Sequence, residues 1–403
     1  MKTARSGWLP DAGADPEALI KEARRRQRRR YMMVCLVIVV LLAGAAGVTA
    51  GVTGLRGHGP SRQRPHGLPP SGDAGTPSSV ASARSAMPRF FADDITFSEG
   101  NGSLEVRASA DGGLVTKEEH MAGVYGLAAT GDDSFVIALQ AGDGCTARLY
   151  RFRLGGQGRP GGLSPIGPEL HGLVWSLTAD GGGGVIGYAV SGCAKGGPGY
   201  IGIVDTRTGR SRQWSDVGVG GESAGNVAVS GALSISASGG LLAFTGWSVA
   251  ADGRFTSQVV RVLPTTAAAG TVAERSHVVL SRPVSQPELT AVSLSPSGSL
   301  FYLSARSGRT TTVAGYRTST GGLVADLASL GGTPPPAWSP MALDTSGRFL
   351  LVPYSLSQAS RPMLHVVLKV AMIDITTRAV RTVIIQLPGT AGMDQYTGMD
   401  AAW

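Results

Sequence analysis

Short apolar runs separated by tight polar turns recur along the C-terminal three quarters of the chain. The clearest copies of this pattern are residues 233–244, 292–303 and 341–352. In each copy, an apolar run of strand length leads into a polar turn that contains Gly, and a second, more apolar run follows. Runs this short, rich in aliphatic and aromatic residues, are typical of strands that are buried on both faces. The pattern therefore predicts a repeated β-hairpin.

Two further apolar runs follow each hairpin and complete a unit of four antiparallel strands. After residues 300–303, for example, a third strand is predicted at 313–316 and a fourth at 323–326, with a turn at 318–321 between them. Two earlier copies of the hairpin are degenerate. The five copies align at Asp133, Gly181, Gly239, Gly298 and Gly347, with spacings of 48, 58, 59 and 49 residues. A four-stranded meander repeated at this spacing predicts the blades of a β-propeller.

The two ends of the repeated region together supply one more unit. Residues 399–403 lie where the first strand of a further copy is due. Residues 89–92, 104–107 and 114–117 read as second, third and fourth strands that lack a first strand. Joining the ends closes a ring and removes exposed strand edges. We therefore expect an all-β, six-bladed propeller whose closing blade is shared by both ends, with seven blades as the alternative.

The turns Ser295-Pro-Ser-Gly298 and Ser236-Ala-Ser-Gly239, each followed by an apolar strand, resemble those of the WD40-like and TolB-like β-propeller superfamily. More narrowly, the chain resembles membrane-anchored or secreted propellers of unknown role from high-GC bacteria. The resemblance covers residues 89–403. The Gly-His and Trp-Asp pairs of true WD40 repeats are missing, so the regulatory roles of those scaffolds are not implied.

An uncharged segment at residues 31–55 predicts a transmembrane signal-anchor helix. Its 25 residues, at about 1.5 Å each, exceed the ~30 Å hydrocarbon core of a membrane. Six arginines among residues 24–30 precede it, which places the basic stub 1–30 in the cytoplasm and the propeller outside. The alternative is a secreted protein cleaved near Ala50, after Val48-Thr-Ala50. Residues 56–88, rich in Pro, Gly and Ser, are expected to form a linker to the propeller at 89–403.

The charge of the chain is concentrated ahead of the predicted propeller. Residues 1–30 carry a net charge of +5 and residues 31–88 one of +3, out of a total of +8. Residues 89–403 are therefore neutral overall. A nucleic-acid-binding domain needs a basic surface, so we expect no nucleic-acid partner.

Two of the three cysteines fall in equivalent loops of consecutive predicted blades. Cys145 and Cys193 each lie between a second and a third strand, and therefore on the same rim of the propeller, which we term the cysteine rim. Outside the cytoplasm such a pair is able to form a disulfide bond, provided that the Cα atoms are close enough. Two unpaired thiols are the alternative.

Motifs for catalysis or cofactor binding are weak throughout the chain. The six histidines are scattered, and no two are spaced as a metal pair on a helix. Gly246-Trp-Ser248 resembles a nucleophile elbow only loosely, because that motif needs a strand-to-helix turn. We therefore predict no catalytic, metal-binding or cofactor-binding residue and no cofactor.

The cysteine rim is the predicted binding surface, because loops on a rigid scaffold are where binding residues concentrate. Trp247, Trp338, Arg361 and His365 lie in or near its loops. We expect this rim to bind an envelope protein or a cell-wall component. The alternatives are a propeller-type lactonase or hydrolase, and a ligand-sensing ectodomain. Three or more Asp, Glu or His side chains converging at the mouth of the channel would favour the enzyme.

Overall fold

The computed structural model of the chain describes the part that carries the repeat, with short gaps. All of these residues belong to one compact unit, Ser79–Trp403. The described ranges are 87–97, 101–122, 124–131, 133–140, 145–193, 199–219, 227–332, 340–358, 365–385 and 396–403. The predicted stub, transmembrane helix and most of the predicted linker lie outside them. Among the described residues, no helix has the length and apolar character needed to cross a membrane.

The two ends of the repeated region form one four-stranded sheet, as predicted. Its strands are β1 (Phe90–Phe97), β2 (Asn101–Ala108), β3 (Leu114–Ala122) and β25 (Tyr396–Ala402), in the order β25-β1-β2-β3. The antiparallel pairing of β1 with β25 runs from Ala92 opposite Ala402 to Phe97 opposite Tyr396. We term this sheet the closing sheet, because it joins strands about three hundred residues apart in sequence.

Three further four-stranded sheets are simple antiparallel meanders. One contains β4 (Val124–Ala129), β5 (Ser134–Gln140), β6 (Thr146–Arg153) and β7 (Ser164–His171). Another contains β17 (Glu288–Leu294), β18 (Leu300–Ser307), β19 (Thr310–Arg317) and β20 (Leu323–Gly331). The last contains β21 (Ala342–Leu343), β22 (Phe349–Gln358), β23 (His365–Asp374) and β24 (Val380–Ile385).

A nine-stranded sheet holds the two remaining meanders. The first meander is β8 (Leu173–Ala179), β9 (Val185–Ser191), β10 (Gly199–Asp205) and β11 (Ser211–Val219). The second is β12 (Val227–Ile235), β13 (Leu241–Val249), β14 (Phe255–Pro264) and β16 (His277–Pro283). The short strand β15 (Gly270–Thr271) pairs with β11, and the helix α1 (Val272–Arg275) follows it with a capping box formed by Thr271 and Glu274.

The described strands therefore form four separate four-stranded sheets, where the sequence predicted six or, alternatively, seven. The difference has a local cause. Asp216 adopts a positive φ of 64°, and the register of β11 shifts at this position. The last three residues of β11 then pair in parallel with the start of β12, from Val217 opposite Val227 to Val219 opposite Val229. This pairing joins two meanders into one sheet.

Neighbouring meanders pack face to face around a closed circuit. Six clusters of buried apolar residues occur in the described part, each built from two consecutive meanders. The closing sheet contributes to two of them, because Phe90 packs with Phe135 on one side and Phe91 with Leu351 on the other. The innermost strands also contact one another in the cyclic order β25, β4, β8, β12, β17 and β21. The arrangement is an all-β propeller.

The turns of the repeat have the backbone geometry that their sequence predicts, with one exception. Asp133, Gly239, Gly298 and Gly347 all adopt positive φ values, between 55° and 74°. In the remaining copy the residue with positive φ is Gly183, and not the aligned Gly181. The run of four glycines in this turn shifts the left-handed position by two residues, which an alignment on Gly cannot detect.

Candidate functional site

The meander order defines two ends of the propeller. In each meander, the first and third connections lie at one end of the strands and the second and fourth lie at the other, because consecutive strands are antiparallel. We term the end with the first and third connections the turn face. The second and fourth connections form the opposite end, which is the cysteine rim.

The structure brings the two cysteines of the cysteine rim together. Cys145 precedes β6 and Cys193 follows β9, and their Cα atoms are 5.6 Å apart, with the two sulfur atoms in contact. This Cα separation lies within the range that disulfide bonds span. The carbonyl of Cys145 also accepts a hydrogen bond from the backbone N–H of Gly172, which ties the start of β6 to the start of β8. Oxidation of the pair remains a prediction.

An aromatic pair occupies the same rim. Trp247 near the end of β13 and Phe255 at the start of β14 have ring centroids 5.4 Å apart. Phe255 is 37% exposed and Trp247 is half-buried. Phe255 was not among the residues that the sequence indicated, although its position directly after an Asp-Gly turn marks it as the first residue of a strand at this rim.

The other predicted rim residues are not brought into this pair by the described structure. Trp338 and Arg361 lie outside the described residues. His365 is the first residue of β23, where its backbone pairs with Gln358. The side chain of His365 is also outside the described part. Trp247 is thus the one predicted binding residue whose side-chain surroundings are known.

A cavity of about 320 Å³ opens at the turn-face end of the central channel, where no site was predicted. The ends of the innermost strands line it, with side chains such as Leu177, Leu233, Leu294, Met341 and Trp403. Small and apolar side chains predominate, because the Leu, Ile, Ala and Ser residues at the end of each innermost strand line the cavity. The indole nitrogen Nε1 of Trp403 is buried and has no hydrogen-bond partner.

Three carboxylates line this cavity, but two of them are engaged in their own turns. Asp180 Oδ1 accepts a hydrogen bond from Gly184 N at 2.7 Å. Asp344 Oδ1 accepts hydrogen bonds from Arg348 N at 2.8 Å and Phe349 N at 2.7 Å. Asp133 is exposed. Asp180 and Asp344 therefore act as turn caps, and the three do not form the converging cluster that would favour an enzyme.

Serine and threonine side chains tie the innermost strands to one another along the channel. Ser176 Oγ accepts a hydrogen bond from Leu233 N at 2.9 Å, and Thr178 Oγ1 accepts one from Ile235 N at 3.2 Å. Ser234 Oγ accepts one from Leu294 N at 2.8 Å. The inner edge of these strands has no further strand to pair with, so the hydroxyl groups satisfy backbone N–H groups that would otherwise be buried without a partner.

A buried ionic cluster lies within the closing sheet. Asp93 on β1 is directly opposite Glu105 on β2 and is completely buried. Arg107 donates from Nε to Asp93 Oδ2 at 3.1 Å and from Nη2 to Glu105 Oε2. Lys117 Nζ lies 3.6 Å from Glu105 Oε1. Burial raises the pKa of Asp93 to about 7, although the positive charge of Arg107 opposes the increase.

Within the described ranges, no group of three or more His, Cys, Asp or Glu side chains is arranged to hold a metal ion. No model of a protein family and no curated protein sequence matches the chain.

Solved structures do match it. TolB from Acinetobacter baumannii matches at 13% identity and a TM-score of 0.47, over 77% of this chain and 66% of that chain. A chain of a nidogen/laminin complex matches at 13% identity and a TM-score of 0.45, over 78% and 98%. The Swd1 propeller domain from Myceliophteria thermophila matches at 12% identity and a TM-score of 0.41, over 74% and 84%. At these identities and TM-scores the matches carry no conclusion about function, and the propeller fold rests on the order and contacts of the chain's own strands.

Proposed function

We propose that this protein is a membrane-tethered, extracytoplasmic propeller that binds an envelope protein or a cell-wall component at its cysteine rim. The single observation that carries the proposal is the Trp247–Phe255 pair, which exposes aromatic surface on that rim. Aromatic side chains supply large contact areas at little cost in conformational entropy and are enriched at protein interfaces. The propeller itself is a rigid scaffold for the surrounding loops.

The cysteine pair supports the extracytoplasmic location. Disulfide bonds persist in oxidising compartments and are rare in the cytoplasm. Two cysteines held with Cα atoms 5.6 Å apart are suited to such a bond. We further propose that residues 31–55 anchor the protein in the membrane, that residues 1–30 lie in the cytoplasm, and that residues 56–88 act as a spacer. Secretion after cleavage near Ala50 is the alternative to the anchor.

We also propose that the nine-stranded sheet acts as two consecutive blades of a six-bladed ring. It contains two complete four-strand meanders, and each contributes its own innermost strand, β8 or β12, to the channel. The parallel contact between β11 and β12 covers three residue pairs only. The two blades thus keep separate faces while sharing one ladder of hydrogen bonds.

Site-specific photo-crosslinking in intact cells tests the binding proposal. A photoreactive amino acid at Ala251, in the exposed loop between β13 and β14, is expected to give crosslinks to an extracytoplasmic protein or wall polymer. The double variant Trp247→Ala/Phe255→Ala is expected to lose them. The same photoreactive residue at Ser319, an exposed position of the turn face, is the matched control and should not give these adducts.

Two results would contradict the proposal. Crosslinks at Ala251 that are unchanged by the aromatic double variant would show that the aromatic pair is not the contact surface. Hydrolysis of lactones or esters by the purified chain, with loss of activity in Asp180→Asn or Asp344→Asn, would favour the enzyme alternative instead.

A further inference from the structure

The turn face carries exposed arginines in most of its connections. In the described part of this face, the exposed arginines in or directly beside the connections include Arg89, Arg153, Arg159, Arg207, Arg210, Arg275, Arg317 and Arg378. The exposed acidic residues in the same connections are Asp111, Asp133 and Glu274. Four other aspartates point into the turns, where they accept hydrogen bonds from backbone N–H groups; they are Asp180, Asp205, Asp344 and Asp374. Arginines therefore predominate among the exposed charged side chains of this face.

Exposed apolar side chains lie directly beside these arginines. Seven of the ten most exposed large apolar residues in the described structure are at the turn-face ends of outermost strands, and they are Leu114, Val115, Leu163, Val278, Leu323, Val324 and Val380. Leu323 is 57% exposed and Leu114 is 53% exposed. Soluble proteins rarely keep such residues in one band without a function. The opposite end of these strands has no comparable band among the described residues.

Contacts between neighbouring sheets make the band continuous over part of the circumference. The hairpin around Gly158 lies against Val115 and Phe90 of the closing sheet. The turn around Gly321 lies against the backbone of Val279 in β16. The turn around Gly112 lies against Val383 of β24. Arginines and apolar side chains from different sheets therefore share one surface.

The point at which the predicted linker joins the propeller indicates what covers the turn face. Met87, the first described residue, precedes β1 at the turn face, and the predicted linker ends there. A linker that comes from a membrane anchor thus reaches the propeller at its basic and apolar end. Anionic phospholipids present phosphate groups to arginine and a hydrocarbon boundary to apolar side chains. The charge and polarity of the turn face complement such a surface.

We propose that the turn face docks on the surface of an anionic phospholipid bilayer and so holds the cysteine rim outward, toward its partner. The inference rests on the membrane tether of the proposed function. Arginines contact lipid phosphates, and the apolar ends of the outermost strands enter the headgroup boundary. The orientation of the propeller is then set by its own surface and not by the linker.

Release of the propeller from vesicles tests this inference on the full chain. A protease site is inserted after Gly75 in the predicted linker, and the chain is reconstituted into vesicles of phosphatidylcholine alone or of equal parts phosphatidylcholine and phosphatidylglycerol. After cleavage, the propeller is expected to sediment with the anionic vesicles and to leave the neutral ones. At ~1 M salt, where the Debye length is about 3 Å, it should be released from both.

Matched variants assign the effect to the turn face. Each arginine near an anionic surface contributes about 1 kcal/mol, so Arg207→Gln/Arg210→Gln should weaken retention roughly 25-fold. Leu323→Ser/Val324→Ser should weaken it without a change in charge. The control Arg148→Gln/Arg254→Gln removes two exposed arginines from strand ends at the cysteine rim and should leave retention unchanged. Unchanged near-UV circular dichroism excludes unfolding as the cause.

The outcomes separate this inference from the proposed function. A chain that integrates into vesicles but is released equally from both lipid compositions would refute the docking and leave the tether intact. A propeller that binds isolated cell wall and not anionic vesicles would identify a wall polymer as the partner of the turn face, and would also overturn the docking. Failure of the full chain to integrate would refute the tether and, with it, the inference.

Discussion

Replacement of Asp93 by Asn should change how the stability of the propeller depends on pH. Asp93 is completely buried in the closing sheet, and one of its oxygen atoms, Oδ1, has no hydrogen-bond partner. Its pKa is about 7 in the folded protein, compared with an ordinary value of 3.8. The folded state therefore holds a proton on this group at pH values where the unfolded chain has released it.

The direction of the effect follows from this difference in pKa. The stability contributed by protonated Asp93 is fully present below pH 3.8 and is lost as the pH rises through 7. Between pH 5 and pH 8, linkage with these two pKa values lowers the free energy of unfolding of the natural protein by roughly 3 kcal/mol. Asn has nearly the same shape and does not titrate. The difference in unfolding free energy between the two proteins should therefore change by about this amount.

Urea unfolding of the full chain in a mild detergent, followed by near-UV circular dichroism at several pH values, measures this difference. Asp374→Asn is the matched control. The pKa of Asp374 is lowered to about 2, chiefly by its hydrogen bond from Arg348, so its contribution is lost only well below pH 5. The control difference should be flat from pH 5 to pH 8. A flat difference for Asp93→Asn as well would refute the assignment of a raised pKa to this carboxyl.

Three other changes test separate parts of the structure. Thiol labelling under denaturing, non-reducing conditions should modify Cys35 alone, because Cys145 and Cys193 are expected to form a disulfide bond. Labelling of all three cysteines would exclude this bond. Cys193→Ser should lower the free energy of unfolding by about 2–4 kcal/mol. Ser234→Ala leaves Leu294 N without its acceptor and should lower the free energy of unfolding, measured in urea, by about 1–3 kcal/mol. Replacement of the exposed Ser238 by Ala is the control and should leave this free energy nearly unchanged. Gly298→Ala forces Ala to a φ of 71° and should lower the free energy of unfolding by roughly 1–2 kcal/mol. Gly156→Ala, where no atom lies within 4 Å of the new Cβ, is the control and should leave it nearly unchanged.

The repeat was sufficient to predict how the ring closes. Residues 399–403 match a first strand, and the region from residue 89 lacks one, so the two ends had to pair. The proximity of Cys145 and Cys193 follows from the same logic, because equivalent loops of consecutive meanders are neighbours. Such features depend on the order of strands, which apolar periodicity determines reliably.

The number of separate sheets could not be predicted in this way. It depends on the positive φ of Asp216, and non-glycine residues adopt this conformation too rarely for a sequence to indicate it. The shift of the turn from Gly181 to Gly183 is similar, since four consecutive glycines give no preference for one position. The number of separate sheets and the position of this turn thus both depend on the backbone dihedral angles of single residues.

The candidate sites were harder to predict than the fold. Trp247 was identified from its position near a loop, but its partner Phe255 was not, because aromatic contacts join adjacent strands whose register was unknown. The basic and apolar band on the turn face was missed since the net charge of residues 89–403 is zero. Net charge conceals a separation of charge between the two ends of a scaffold.

The parallel pairing of β11 with β12 has a consequence for how the ring comes apart. Elsewhere in the described part of the chain, neighbouring sheets share no ladder and meet through side chains and single hydrogen bonds, such as the one from Ala237 N to the carbonyl of Pro296, so solvent is able to enter along those seams while each ladder stays intact. Where Val217 and its neighbours bridge two meanders, separation requires the rupture of backbone hydrogen bonds. Amide protons of residues 173–283 should thus exchange as one cooperative block, and more slowly than those of the three smaller meanders. We expect the ring to open first between two neighbouring sheets on the side opposite β11 and β12.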